Sequence, residues 1–196
     1  MRVGVLALQG DFSNHASCLA AVGATPVEVR AGRDVQHVDG LVLPGGESTA
    51  ISLLLQSSDL LPVLSTLLAE GMPVLGTCAG LILLAKSVLG GRPDQVSLGR
   101  LDITVQRNGF GRQLESFETE LEVPAVASGH LHVAFIRAPV VVEAGAQVEV
   151  LARLGEDGGP SAGSPVLVRQ GPALGASFHP EIVGDVGLHE LFVAGL

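Results

Sequence analysis

A chain of 196 residues, 47% hydrophobic and 16% charged, has the composition of a globular protein rather than a disordered one, and is long enough for one domain with a sizeable core. Its formal net charge of −9, from 11 Lys and Arg against 20 Asp and Glu, argues against nucleic acid or an anionic membrane as the main partner. With six Phe and no Trp or Tyr, the core must be aliphatic. Mean hydropathy is +0.47, which raises the question of a membrane span. The uncharged stretch between Glu70 and Lys86 has only 15 residues and contains Gly and Pro. A span needs about 20 apolar residues, so such runs read as buried strands. Met1-Arg2-Val3-Gly4 enters a strand directly, without the extended apolar region of a signal peptide. Two cysteines, Cys18 and Cys78, do not make a disulfide framework. A reduced, cytoplasmic protein of one domain over residues 1–196 is expected.

Arg2–Leu8 is a short apolar run, the first expected parallel strand. Gln9-Gly10-Asp11 is a turn, Ser13 caps a helix over Asn14–Val22, and Gly23 stops it. Pro26–Arg30 alternates as a strand does, and Gly40–Leu43 is a third, very short strand. It runs into Pro44-Gly45-Gly46-Glu47-Ser48-Thr49. Helices are expected over Ala50–Gln56 and Asp59–Glu70, then a buried strand over Met72–Thr77. A further helix begins over Leu81–Ala85. The rhythm β-α-β-β-α-α-β-α predicts a doubly wound, mostly parallel α/β sheet with ligands outside the carboxyl ends of the strands.

The second half changes character. Leu101–Arg107, Leu114–Val123, His132–Arg137, Val140–Val142, Val148–Leu154, Val166–Gln170 and Leu174–Phe178 are strand-like, and helix patterning returns only over Asp185–Ala194. Several of these strands are expected to extend the same sheet in antiparallel fashion. Gly155–Pro165 is a Gly/Ser/Pro-rich surface loop.

Gly76-Thr77-Cys78-Ala79-Gly80 has the G-x-nucleophile-x-G spacing of a nucleophile elbow, with Cys in place of Ser. The glycines let a strand turn sharply into a helix and leave Cys78 at the tip. There it faces the unpaired N–H groups and positive dipole end of the helix, an environment that favours an anion. On the pentapeptide alone, a nucleophile and a small buried hydrophobe stand as equal readings. A thiolate nucleophile also needs a base, and the base an orienting partner. Among six histidines, His179 stands out because it ends an expected strand, as Cys78 does, and strand ends gather on one edge of a parallel sheet. Glu181, two residues on, is placed to fix its tautomer. His15, His37, His130, His132 and His189 read as solvated or hydrogen-bonded structural residues. His130-x-His132 lacks the further ligands a Zn²⁺ site needs, so no metal is expected.

A tetrahedral oxyanion needs N–H donors. Ala79, just after the nucleophile, offers one. The Gly45-Gly46 loop offers another, because a loop without side chains brings bare backbone against a ligand. In isolation Pro44-Gly45-Gly46 would be a turn; beside an elbow it reads as part of a site.

With Pro44-Gly45-Gly46-Glu47-Ser48, Gly76-Thr77-Cys78-Ala79-Gly80 and His179-Pro180-Glu181 in order, the chain resembles the class I glutamine amidotransferases, Cys-His-Glu enzymes of flavodoxin-like architecture that hydrolyse glutamine and pass ammonia to a synthase. Within them it is most similar to the glutaminase subunits of pyridoxal 5'-phosphate synthase. That likeness rests on Leu8-Gln9-Gly10, Gly45–Thr49, Thr77–Gly80, Arg107-Asn108 with Phe110–Gln113, Phe135–Pro139 and Ser177–Glu181. The resemblance implies Cys78 as nucleophile, His179 as base and Glu181 as orienter. It implies Gly46 and Ala79 as oxyanion donors, and a glutamine site of Gly46, Glu47, Ser48, Arg107, Ile136 and Arg137. It also implies L-glutamine as substrate, no cofactor, and partnership with a pyridoxal 5'-phosphate synthase subunit in a hetero-oligomer. Arginine suits such a site because the substrate carries an α-carboxylate that it holds bidentately; without the resemblance, Arg107 and Arg137 read as surface ion pairs.

Some positions depart from the pattern. Gly80 is followed by Leu81-Ile82 where many other glutamine amidotransferases carry Gln at the second position, which disfavours carbamoyl phosphate, anthranilate and imidazole-glycerol-phosphate pathways. Gly109 stands where Ala is usual, and Gly155–Pro165 is longer than in typical relatives. The alternative functions are a Cys-His hydrolase of another class, peptidase or deglycase-like, and a non-catalytic scaffold, which would be expected to lack a triad member.

Overall fold

The computed structural model describes residues 1–109, 116–155 and 161–196. Its first half follows the expected rhythm: β1 (Arg2–Leu6), α1 (Phe12–Ala21), β2 (Thr25–Val29), β3 (Gly40–Leu43), α2 (Ser48–Gln56), α3 (Leu60–Ala69), β4 (Val74–Thr77) and α4 (Ala79–Leu84). Then come β5 (Ala85–Leu89), β6 (Leu101–Gln106), β7 (Phe117–Glu122), β8 (His130–Phe135), β9 (Val140–Ala144), β10 (Glu149–Arg153), β11 (Pro165–Gln170), β12 (Ala173–Ala176) and α5 (Gly187–Ala194).

The main sheet has the order β10-β11-β12-β4-β3-β1-β2. Strands β2, β1, β3, β4 and β12 pair in parallel, the doubly wound order of flavodoxin-like folds. β11 and β10 add an antiparallel edge. The central strands are apolar throughout because both faces are covered. Val3, Val5, Val42 and Leu75 face a core with Leu19 of α1, Phe192 of α5 and Phe135 of β8. Leu41, Leu43 and Val74 point to the opposite face, against Ile51, Leu55, Leu64, Leu68 and the leucines of α4. Neighbouring residues on one strand thus belong to opposite cores, as the period of two requires.

Four local expectations are corrected. Among the described residues, only β10 and β11 extend the main sheet in antiparallel fashion; β5, β6 and β9 form a separate three-stranded sheet, and β7 with β8 a hairpin. The small sheet buries Leu101, Ile103 and Val105 under the helical face, a tertiary demand with no local signature. The helix expected to begin over Leu81–Ala85 starts at Ala79 and stops at Leu84, where Ala85 turns extended and opens β5. Finally, α1 begins two residues before the expected start, after Asp11 and without a side-chain cap, while Asn14 Nδ2 donates to the Asp11 carboxylate at 2.8 Å. Helix α2 also starts early, at Ser48, because the Glu47 carboxylate accepts from the N–H groups of Thr49 and Ala50. The expected strand start at Leu114, the motif residues Phe110–Gln113 and residues 156–160 of the Gly-rich loop lie outside the described residues. Among the described residues no single helix is long and apolar enough to cross a membrane.

Candidate active site

The parallel strands deliver four loops to one edge. β4 ends in Cys78, β3 leads to Gly45-Gly46, β1 leads to Gln9-Gly10, and β12 leads to His179. Cys78 sits at φ 47°, ψ −99° at the head of α4, with its N–H bonded to Ala176 O of β12 at 2.8 Å. This is the sharp strand-to-helix turn that the glycine spacing predicts. Gly76 and Gly80 permit it: a Cβ on Gly76 would lie 2.7 Å from the Gly80 backbone, and one on Gly80 would overlap the Leu43 carbonyl.

Three non-glycine residues among those described have positive φ: Cys78, Asn108 at 51° and Arg137 at 45°. All three line one cleft of about 170 Å³, together with Gly46, Glu47, Ser48, Ile82, Arg107 and Ile136. Backbone strain of this kind costs on the order of 1–3 kcal/mol per residue and gathers at functional sites. Every residue expected to bind glutamine, Gly46, Glu47, Ser48, Arg107, Ile136 and Arg137, lies on this cleft; Asn108 and Ile82 join it without having been assigned to the glutamine site.

His179 and Glu181 stand behind Cys78. His179 Nδ1 donates to Glu181 Oε1 at 2.7 Å, which leaves Nε2 as the ring nitrogen that can exchange protons, and the Cys78 side chain is close enough to act electrostatically on the ring. Its backbone is pinned by a two-way bridge to Ala134 of β8, 2.8 Å and 3.2 Å, and Phe178 packs edge-on against Phe135. The hairpin therefore fixes the base. Burial works against a charge on His179, but the hydrogen bonds and charges of Cys78 and Glu181 outweigh it and lift its pKa from 6.5 to about 10. For Glu181, burial opposes ionisation, and the hydrogen bonds from His15 and His179 more than reverse this, holding the carboxyl well below its usual range.

The signs give a pH prediction. A histidine whose pKa is raised on folding contributes stability that is fully present below its unfolded value and lost as pH rises through the folded value. The His179 contribution is thus present below pH 6.5 and fades towards about pH 10. Cys78→Ala removes a large part of what raises this pKa, so the fade is expected to end at lower pH; melting temperature against pH, with and without the substitution, checks it. Identical profiles would mean that Cys78 does not hold the imidazolium.

The Gly45-Gly46 loop lies against both neighbours. A Cβ on Gly45 would collide with the His179 ring, and one on Gly46 would lie 2.5 Å from Gln9 Oε1. Gln9 Oε1 accepts the Glu47 N–H at 2.7 Å. Ala79 follows Cys78 as the first residue of α4, where a backbone N–H has no partner within the helix.

Arg107 is not a surface pair but a cleft residue. Its guanidinium donates to Glu47 Oε1 at 3.1 Å and to Thr49 Oγ1 at 3.2 Å, with 16% of its side chain exposed. Glu47 carries two roles, capping α2 and pairing Arg107. Partial burial disfavours its charge, but the N–H groups of Ala50 and Thr49 and the arginine prevail and lower its pKa. Ser48 is buried with no protein partner for its hydroxyl among the described residues, a polar atom suited to a ligand.

The His132 ring bonds Glu120 and Glu118 at 2.9 and 3.1 Å, and no cluster of three or more metal-ligating side chains occurs among the described residues. His15 and His189, read from sequence as structural residues, are both fully buried and hydrogen-bonded to each other at 2.8 Å. Neither has a sequence neighbour in the site that would have pointed there.

The model of the SNO glutamine amidotransferase family matches residues 5–196. The "Pyridoxal 5'-phosphate synthase subunit PdxT" of Frankia casuarinae is 56% identical over 192 residues, covering 98% of this chain and 93% of the relative. The protein of the same name from Kineococcus radiotolerans is 56% identical over 193 residues, covering 97% and 92%. A solved structure, "Crystal structure of glutamine amidotransferase", superposes with a TM-score of 0.88 at 46% identity and covers 98% of this chain and 97% of that one. A second, "Structure of PurLQS from Thermotoga maritima", is 14% identical with a TM-score of 0.67, covers 98% of this chain and 97% of that one, and shares the fold. An elbow cysteine on a flavodoxin-like sheet would suit several hydrolases; a family match from the first strand to the last residue narrows them, and the chain belongs to the SNO glutamine amidotransferase family.

Proposed function

We propose that the chain is the glutaminase subunit of a pyridoxal 5'-phosphate synthase, acting through a Cys78-His179-Glu181 triad and delivering ammonia to the synthase subunit. The observation that carries this reading is the convergence of three strained residues, Cys78, Asn108 and Arg137, on one polar cleft backed by the His179–Glu181 pair. The relatives' names support the vitamin B6 assignment.

In this mechanism the glutamine side-chain amide enters above Cys78, and the sulfur, its proton passed to His179, attacks the carbonyl carbon. The carbonyl π pair moves onto oxygen, which takes N–H bonds from Gly46 and Ala79. His179, carrying a proton at neutral pH, gives it to the departing nitrogen. The C–N bond breaks, ammonia leaves, and a γ-glutamyl thioester remains on Cys78. His179 then takes a proton from water, the hydroxide attacks the thioester, and glutamate departs as Cys78 is regenerated. Glu181 holds Nδ1–H throughout, so that Nε2 is the nitrogen that exchanges protons.

Arg107 and Arg137 hold the substrate's α-carboxylate, and Glu47 its α-ammonium. Arg107 is paired with Glu47 before substrate arrives, so binding exchanges one ion pair for two. Arg107→Ala or Arg137→Ala is expected to reduce kcat/KM for glutamine by about 10-fold or more, in line with the about 1.5–3 kcal/mol of a charge-assisted hydrogen bond. Turnover of a neutral amide lacking the α-carboxylate should change little. Equal losses on both substrates would remove these arginines from the carboxylate site.

The Gly45–Gly46 peptide joins two residues with wide φ/ψ freedom; its carbonyl accepts the Asp11 N–H at 3.3 Å, and Gln9 Oε1 accepts the adjacent Glu47 N–H at 2.7 Å, so docking of a synthase near Gln9 is placed to turn its N–H towards Cys78. One such donor is worth about 10²–10³ in kcat. Steady-state glutaminase rates with and without saturating synthase test this: a rise of about 10-fold or more is expected, and a rise of less than twofold with both proteins bound would mean that the enzyme is constitutive.

A further inference from the structure

The predicted triad does not end at Glu181. Glu181 is buried, and its Oε1 accepts the His179 Nδ1–H at 2.7 Å and lies 3.4 Å from His15 Nε2. Its Oε2 has no protein partner among the described residues. Among the described residues, both polar contacts of this carboxylate therefore fall on one oxygen. The same His15 Nε2 is 3.0 Å from Thr77 Oγ1, the residue before Cys78. On the other side of the ring, His15 Nδ1 is 2.8 Å from His189 Nε2. Both rings are fully buried, and they bring α1 and α5 together behind the site.

The direction of these bonds follows from the far end of the chain. Burial and the neighbouring His15 push the His189 pKa down to about 3, against a smaller opposing pull from Glu181, so His189 is neutral and has one N–H. Its Nδ1 has no protein partner among the described residues. A buried N–H left unpaired is rarer and costlier than a bare lone pair, so the hydrogen sits on Nε2 and is donated to His15 Nδ1. His15 must then carry its own hydrogen on Nε2, aimed at Thr77 and Glu181. The reversed tautomer would point a lone pair at a carboxylate.

We propose that His15, its tautomer set by His189, is a positioning residue for the reaction: its Nε2–H fixes the Glu181 carboxylate, and through it the His179 ring, in register with the strand that carries Cys78. This rests on the triad reading. It assigns His15 no proton to transfer and no contact with substrate; its work is to hold one oxygen in place, 3.4 Å away, while His179 changes charge twice in each turnover. Contacting groups in one network couple by about 0.5–3 kcal/mol, which sets the size of the expected effect.

The test uses the chain bound to its synthase, with glutamine as substrate. His15→Met fills the volume without a donor and is expected to lower kcat about 10-fold with KM unchanged. His15→Gln places an amide N–H in the same region and is expected to keep kcat within about threefold of the parent, a rescue that simple space-filling does not give. In a Glu181→Ala background, His15→Met should cost nothing further. Three results would each overturn the proposal: the full 10-fold loss persisting in the Glu181→Ala background, equal losses in His15→Met and His15→Gln, or a rise in KM with kcat intact. If Glu181→Ala by itself leaves kcat at the parent value, the triad reading falls and the role of His15 falls with it; that outcome shows in the single variant and is not confused with the others. Should His15→Met fail to fold, the pair His189→Met and His189→Gln serves one bond further out, with about a threefold loss expected in the first and none in the second; equal rates in the two would overturn the proposal.

Discussion

Cys78→Ala is expected to abolish glutamine hydrolysis while leaving the fold intact. The substitution removes one sulfur from a residue that is 7% exposed, and losses of that size cost about 1 kcal/mol, well within the stability of a domain of this length. The second cysteine provides the internal control. Cys18 lies in α1, 5% exposed. Burial pushes its thiol pKa up, and the negative charges of Glu181, Asp185 and Asp11 push it further. A glutamine-mimicking electrophile should therefore modify Cys78, which lines the cleft, and spare Cys18. Mass spectrometry that found the adduct mainly on Cys18, or hydrolysis persisting in Cys78→Ala, would remove Cys78 as nucleophile.

His179→Asn should lower kcat by about 10²–10⁴, the usual worth of a general acid–base, with Glu181→Gln costing less. The second half of this expectation depends on geometry. Replacing a triad carboxylate by an amide is most damaging when the amide nitrogen turns towards the histidine and enforces the wrong tautomer. Here two donors, His179 Nδ1–H at 2.7 Å and His15 Nε2–H at 3.4 Å, face the same oxygen. The glutamine carbonyl is favoured at that point, and its NH₂ takes the place of Oε2, which has no protein partner among the described residues. Glu181→Gln should thus retain the His179 tautomer while losing some stability to a buried, unpaired N–H. The measurement is kcat for both variants beside their melting temperatures. A Glu181→Gln enzyme slower than His179→Asn would show that the two roles are wrongly divided.

Much of this site is legible in the sequence because its parts are local. The glycines around Cys78 announce a turn whatever surrounds it, and continuous apolar runs such as Val74-Leu75 announce strands covered on both faces. His179 and Glu181, two residues apart at a strand end, form a pair that needs no tertiary knowledge. Other parts depend on contacts that sequence spacing does not encode. His15 and His189 are 174 positions apart and meet only because α1 and α5 pack on one face of the sheet. Asn108 and Arg137 adopt positive φ without being glycine, so nothing in their identity marks the strain. Arg107 does form the ion pair that its residue type suggests, but with Glu47 inside the cleft. The sheet boundaries fail for a related reason. Ala85–Leu89 has little alternation to distinguish it from the end of a helix, and its strand exists because β6 lies beside it.

The central claim is that ammonia released at Cys78 is delivered to a synthase, and amide-¹⁵N-glutamine tests it most directly. The chain is mixed with its synthase, the carbon substrates and unlabelled ammonium at the same concentration as glutamine, and the isotope content of the single nitrogen of pyridoxal 5'-phosphate is read by mass spectrometry. Delivery predicts product enriched in ¹⁵N well beyond the ammonium pool, and loss of that label when Cys78→Ala replaces the parent chain. Product carrying only the isotope ratio of the bulk ammonium, or label retained with Cys78→Ala, would contradict it.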